Sequence, residues 1–217
     1  MHIWETVLFL LLGWFLGMLS PIIVDGIRRQ RDLKEIKKAL FVELRELQFR
    51  LTLTVYFGAR HTGKYDRNLL EWMRPIVESY GGINQSDNLW QEIRLGLERT
   101  DEQLRLVSEQ IASNQNRGIA FKKYNATLLE AKINQLGAFD QESQNLLLEI
   151  KTRLDILNEE IDQYRIYHNQ TFNSSLSQQN HDLIRDNIRD SSETIYKLAR
   201  STTDLITKLL KKHLSNN

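Results

Sequence analysis

Histidine and carboxylate side chains carry most hydrolytic and metal chemistry, because imidazole titrates near neutrality and both groups ligate cations. The five histidines of this chain, His2, His61, His168, His181 and His213, are widely scattered. None belongs to a His-Glu-x-x-His pair or a compact His–carboxylate cluster, so no catalytic residue, metal ligand or cofactor is assigned. The nearest approach to a phosphodiester-cleaving pair is Arg165-Ile-Tyr-His168, an arginine for the anion and an imidazole for the proton. Only two residues separate them, and Arg60 and His61 are adjacent. All-helical ribonucleases set the two further apart, and no other arginine here precedes a histidine at that longer spacing. Arg165 and His168 therefore read as the polar end of a long helix. A degenerate site at this pair, in a membrane-tethered nuclease, is the enzymatic alternative.

Two other groups invite chemistry. Asp182, Asp186 and Asp190 share one helical face, but Arg185 and Arg189 stand three residues after the first two. That spacing predicts a solvated, salt-bridged face, since an acid–base pair would need a pocket to split its pKa values. The turn Gly58-Ala-Arg-His-Thr-Gly-Lys64 presents three basic groups, but Tyr65 follows where a P-loop needs Ser or Thr. A basic interhelical turn is expected, with a small-ligand sensor as the lesser alternative. Tyr56, Phe57, Trp72, Tyr80 and Trp90 lie near it in sequence and are assigned to the core.

What must position these groups begins with an anchor. Val7 to Val24 is an uncharged run of 18 residues. At ~1.5 Å per residue it covers ~27 Å, close to the ~30 Å of a bilayer's hydrocarbon. A single segment crosses that layer only as a helix, because lipid offers no partner to free backbone groups. A cleaved secretory signal would want charge before the run, a shorter apolar core and a small-x-small site. None is clear, although Gly17 and Ser20 are small.

Charge sets the expected orientation. No Lys or Arg precedes the run, whereas Arg28, Arg29, Arg31, Lys34, Lys37 and Lys38 follow it. Flanking cations stay on the cytoplasmic side, so the N-terminus is expected outside and the rest inside. The same six cations lie where lipid headgroups do and are assigned to headgroup contact. Gly13, Gly17 and Ser20 form a small-residue stripe that lets two spans approach closely, and they are assigned to self-association. Four Asn-x-Ser/Thr sequons (Asn84, Asn125, Asn169, Asn173) would matter only in a glycosylating lumen. Cysteine is absent, so no disulfide framework exists.

The remaining ~190 residues suffice for one domain with a core. The whole chain has 29 basic and 28 acidic residues, a poor footprint for a nucleic-acid binder. Two prolines and ten glycines leave few breakers, and the chain reads as nearly all helix. Ile36, Leu40, Leu44, Leu47, Leu51 and Val55 predict a helix from about Arg28 to Phe57, ended by the segment Gly58-Ala-Arg-His-Thr-Gly63. Its continuity with the span is left open by Pro21 and Gly26, either of which could bend it. Further helices are predicted over Asn68 to Tyr80, from an N-cap at Ser86, from a capping box Thr100-Asp-Glu-Gln103, and over Ile119 to Leu136 with Gly137 as its stop. Leu147, Ile150, Leu154, Leu157, Ile161 and Tyr164 form one heptad seam. Ile184, Ile188, Ser191, Ile195, Leu198, Thr202, Leu205 and Leu209 form another, beyond a polar loop from Asn169 to Asn180. Bundle packing of these two helices is favoured over an independent coiled coil.

The expectation is therefore an all-α protein: residues 1–27 a single transmembrane anchor, residues 28–217 an elongated cytoplasmic helical bundle with long antiparallel helices. Membrane lipids, further copies of the chain and a cytosolic protein are the expected partners; nucleic acid is not. The expected role is non-enzymatic, as a scaffold or pore-like effector assembled at the membrane.

Overall fold

The computed structural model describes residues 3–81, 87–113 and 119–215. Over these residues the chain forms α1 (Ile3–His61), α2 (Arg67–Ser79), α3 (Asp87–Glu98), α4 (Asp101–Ser113), α5 (Thr127–Ala131), a 3₁₀ helix (Ile133–Ala138), α6 (Gln141–Gln170) and α7 (Gln178–Ser215). No strand occurs among them. Contacts divide the chain into two units, one up to Phe41 and one from Val42 onward.

In the first unit the backbone of α1 stays helical through Pro21 and Gly26, the two positions that left its continuity with the span open in the sequence. One proline removes a single ladder hydrogen bond, a loss that helices in apolar surroundings tolerate.

In the second unit, Leu44, Leu47, Leu51 and Val55 of α1 are fully buried, as their spacing predicts. Helix α1 does not stop at Gly58. It continues to His61, and Gly63 closes it with φ 68, the left-handed conformation that glycine adopts without a Cβ clash. The Lys64 amide then donates to the Ala59 carbonyl at 2.8 Å, the six-to-one bond of a Schellman ending. Gly58 packs beside Tyr196, where an added Cβ would stand 3.4 Å from the tyrosine Cβ, an ordinary van der Waals contact.

Asp66 caps α2 by accepting from the Leu69 amide at 2.8 Å. Pro75 is tolerated inside α2 because it and Glu71 face solvent, where the carbonyl it leaves unpaired is solvated. The Ser86 cap falls outside the described residues. The capping box of α4 forms reciprocally, with the Thr100 amide on Gln103 Oε1 at 2.9 Å and the Gln103 amide on Thr100 Oγ1 at 3.3 Å.

The helix expected over Ile119 to Leu136 does not form. Residues 119–126 carry no regular structure, α5 has five residues, and Gly137 sits inside the 3₁₀ helix rather than ending an α-helix. The cause is competition from distant side chains for the backbone. Asn158 of α6 accepts from the Tyr124 amide at 2.8 Å and donates to its carbonyl at 2.7 Å. Arg165 donates to the Phe121 carbonyl at 3.0 Å. Phe121 and Tyr124 are buried, and Phe121 packs edge-on against Tyr164. Ala126 gives α5 no side-chain cap, and Glu43 of α1 takes that place. Its two carboxylate oxygens accept from the Leu128 and Leu129 amides at 2.8 and 3.0 Å.

All six residues of the α6 seam are buried. Helices α6 and α7 pair along their lengths: Ser191 donates to Glu160 at 2.5 Å, while Lys208 and Lys212 meet Glu142 and Asp140 near the start of α6. Helix α7 buries more than one heptad seam. Ser191, Ile195, Thr202 and Leu209 are covered, and so is the adjacent row Ser192, Tyr196, Ala199, Thr203, Ile206 and Leu210. A stripe this wide exceeds the two-position seam of a two-stranded coiled coil.

Removing either cross-chain clamp exposes its specificity. Glu43→Ala and Asn158→Ala each strand two buried or half-buried backbone groups and are expected to cost about 1–3 kcal/mol, against almost nothing for exposed Glu159→Ala. Thermal unfolding of the detergent-solubilised chain, followed by circular dichroism, measures this. Equal melting of all three variants would contradict the assignment.

Candidate functional site

The first unit carries the largest chemically distinct surface. Every described side chain from Trp4 to Ile27 is exposed, and Trp4, Phe9, Leu10 and Trp14 are 65% to 82% accessible. Burying one large apolar side chain gains ~1.5–3 kcal/mol, so an uncovered run of this length is strongly unfavourable in water. Patches far smaller mark interaction surfaces. Among the described residues α1 alone is long and apolar enough to cross a membrane, and its apolar window is unburied.

Gly13 and Gly17 lie one turn apart in this run, and a Cβ added at either meets nothing within 4 Å. The space beside both is open. Ser20 belongs to α1, but its side chain lies outside the described residues. Arg28, Arg29, Arg31, Lys34 and Lys38 are exposed, while Lys37 is half-buried and already engaged. Arg31 pairs with Glu35 at 3.2 Å, an exposed i,i+4 contact worth only a few tenths of a kcal/mol.

In the second unit the chemistry-bearing residues hold the fold. Arg60 donates to Glu92 at 2.9 Å and to the Tyr56 hydroxyl at 2.5 Å, with its guanidinium over the Tyr56 ring. Burial, with Glu92 beside it, pushes the Tyr56 phenol well above its usual value. Lys64 reaches Glu193 at 2.9 Å, and Lys197 meets the same carboxylate at 2.9 Å. Hydrogen bonds from Lys64 and then Lys197 pull Glu193 down to about 2. Burial lowers the pKa of His61, which favours its neutral form. The turn's cations are thus neutralised by Glu92 and Glu193 and are not offered to an anion. Of the five nearby aromatics, Tyr56 and Tyr80 are buried, Trp72 and Trp90 are half-buried, and Phe57 is half-exposed.

The Arg165–His168 pair is likewise engaged. Arg165 holds the Phe121 carbonyl and Asp162, and the His168 ring lies between Tyr164 and Phe172. Asp182–Arg185 and Asp186–Arg189 form the expected ion pairs at 3.0 and 3.1 Å. Among the described residues no three His, Asp or Glu groups converge as metal ligands. At the α6–α7 turn, Gln170, Asn173, Leu176, Asn180, Leu183 and Ile184 line an open depression of about 300 Å³. It holds no charged group to orient a ligand.

Sequence reasoning missed Glu43, Glu92, Asn158 and Glu193. Each acts on a partner at least 32 residues away, as far as 129 for Lys64–Glu193, and no local pattern marks such a partner. In comparisons with known proteins, no family model, no curated protein and no solved structure matches this chain.

Because Glu193 is held at about 2, against an ordinary 4.5, its contribution to stability is present above pH 4.5 and fades as the pH falls through about 2. Glu193→Gln is therefore expected to melt below the wild type at neutral pH and to converge with it near pH 2. A gap that does not change with pH would refute the charge assignment.

Proposed function

We propose that the chain is a single-pass membrane protein whose second unit is an antiparallel helical bundle on the cytoplasmic side. On this reading it acts without enzymatic chemistry, self-assembling at the membrane as a scaffold or pore-like effector and receiving a cytosolic protein on the bundle. The observation that carries the reading is the uncovered apolar run in α1. Among the described residues no segment of the second unit offers a comparable surface, and hydrocarbon is the covering that matches an uncharged helix of this length. The cations after the run support the orientation, with the residues before the span outside. Pairing of Asp140 and Glu142 with Lys208 and Lys212, and of Glu160 with Ser191, supports the antiparallel arrangement of α6 and α7.

Self-assembly rests on the open space beside Gly13 and Gly17, with Ser20 one turn on. Lipid tails are as apolar as leucine, so spans associate by close van der Waals contact where small residues let backbones approach. The bundle's engaged cations and unassigned metal and nucleotide chemistry leave assembly and docking as the reading with physical support.

The absence of cysteine makes the topology test direct. A cysteine placed at exposed Ser175 in intact cells is expected to resist an impermeant maleimide, to react after lysis, and to stay with the membrane through alkaline carbonate. Labelling in intact cells, or release by carbonate, would refute the placement. For assembly, the detergent-solubilised particle is expected to exceed one chain in mass. Gly13→Leu or Gly17→Leu should shift it toward the monomer with the bundle's melting unchanged; a monomeric wild type would rule assembly out.

A further inference from the structure

Most cations of the second unit meet a carboxylate, although Arg45, Arg99, Lys122, Lys132 and Lys211 have no ion pair among the described residues; of those beyond the apolar run, most do not. In the second unit Arg60, Lys64, Arg67, Arg153, Lys208 and Lys212 each meet a carboxylate. In the first, Arg28, Arg29, Lys34 and Lys38 have no ion-pair partner among the described residues, and Arg31 has only exposed Glu35. Six cations from Arg28 to Lys38 face two carboxylates in the same stretch, Asp32 and Glu35, with Asp25 just before it. This is the one positively charged segment that directly adjoins the uncovered apolar helix.

The order of the cations is also informative. The three arginines come first and the three lysines after them. At ~1.5 Å per residue, Arg28, Arg29 and Arg31 stand about 6–10 Å beyond Val24, whereas Lys34, Lys37 and Lys38 stand about 15–21 Å beyond it. A headgroup layer is about 5–8 Å deep. Arg28 and Arg29 thus lie at phosphate depth, Arg31 just beyond it within the reach of its long side chain, and the lysines in the diffuse layer outside. Guanidinium suits the first place, because its planar fork binds two phosphate oxygens at once, whereas an ammonium acts as a point charge.

Resting on the membrane-anchor reading above, we infer that Arg28, Arg29 and Arg31 form a binding site for the phosphate of anionic phospholipids. The site discriminates by net headgroup charge. Phosphatidylcholine carries its own choline cation near the phosphate, which opposes the arginines, while phosphatidylglycerol presents an uncompensated negative charge. The lysines add long-range attraction that falls off within a Debye length. Bound anionic lipid then fixes the depth of the span and supplies the counter-charge that the chain itself omits at these positions.

The test uses the full chain extracted from membranes in a neutral detergent and titrated with phosphatidylglycerol or with phosphatidylcholine, bound lipid being read by native mass spectrometry. Phosphatidylglycerol is expected to bind about tenfold tighter or more. Arg28→Gln, Arg29→Gln and Arg31→Gln together should erase that preference, with Lys34, Lys37 and Lys38 left to keep the orientation. The matching triple Arg→Lys variant should retain only part of it, and Lys122→Gln with Lys211→Gln should leave it intact. Equal binding of the two lipids, a preference that survives in the Gln variant, or full selectivity in the Lys variant would overturn the inference while leaving the anchor standing. Recovery of the chain from the carbonate supernatant would remove both.

Discussion

An uncharged helix with nothing to cover it is the constraint from which the rest of this molecule follows. The run from Val7 to Val24 contains no charged residue, and its described side chains are exposed. Such a surface must be covered, and its length matches hydrocarbon. The helical backbone satisfies its own polar groups along the way, so nothing besides the side chains needs a partner. The proposed anchoring, orientation and lipid contact all derive from this imbalance and from the cations placed immediately after it.

The second unit is held by opposite means. Its core is leucine- and isoleucine-rich, with seams on α1, α6 and α7 that helical periodicity lays down. Around that core, polar side chains tie distant segments together: Glu43 caps α5, Asn158 and Arg165 hold the irregular stretch before it, and Glu193 gathers Lys64 and Lys197. Groups that might have served a catalytic or anion site are thereby occupied. Arg60 and Arg165, the two arginines nearest histidines in the sequence, each hold a structural partner. This division fits a protein whose exposed features lie at the first unit and whose second unit is a stable body.

Periodicity and several caps were legible where both partners of an interaction lay within a turn of each other, although the Asp66 cap of α2 was not read. The α6 seam, the Thr100–Gln103 capping box, the Asp182–Arg185 and Asp186–Arg189 pairs and the apolar run fall in this class. Where a distant side chain competes for the backbone, local reading failed. The stretch from Ile119 to Ala126 has residues that a helix accepts, yet its amides and carbonyls are taken by α6. Within the segment expected to end α1, the choice between its two glycines was not legible: the helix runs on through Gly58, and Gly63 is the residue with positive φ.

By itself, then, the chain of residues determined its helical class, its apolar leading segment and the charge that follows, because each depends on composition and on spacings of three or four. Tertiary structure alone decided that residues 119–126 stay irregular, that α7 buries two adjacent rows, and that the basic turn is neutralised by Glu92 and Glu193. These outcomes require residues tens of positions apart to meet. Only the folded arrangement of the helices brings their side chains within a hydrogen bond's reach.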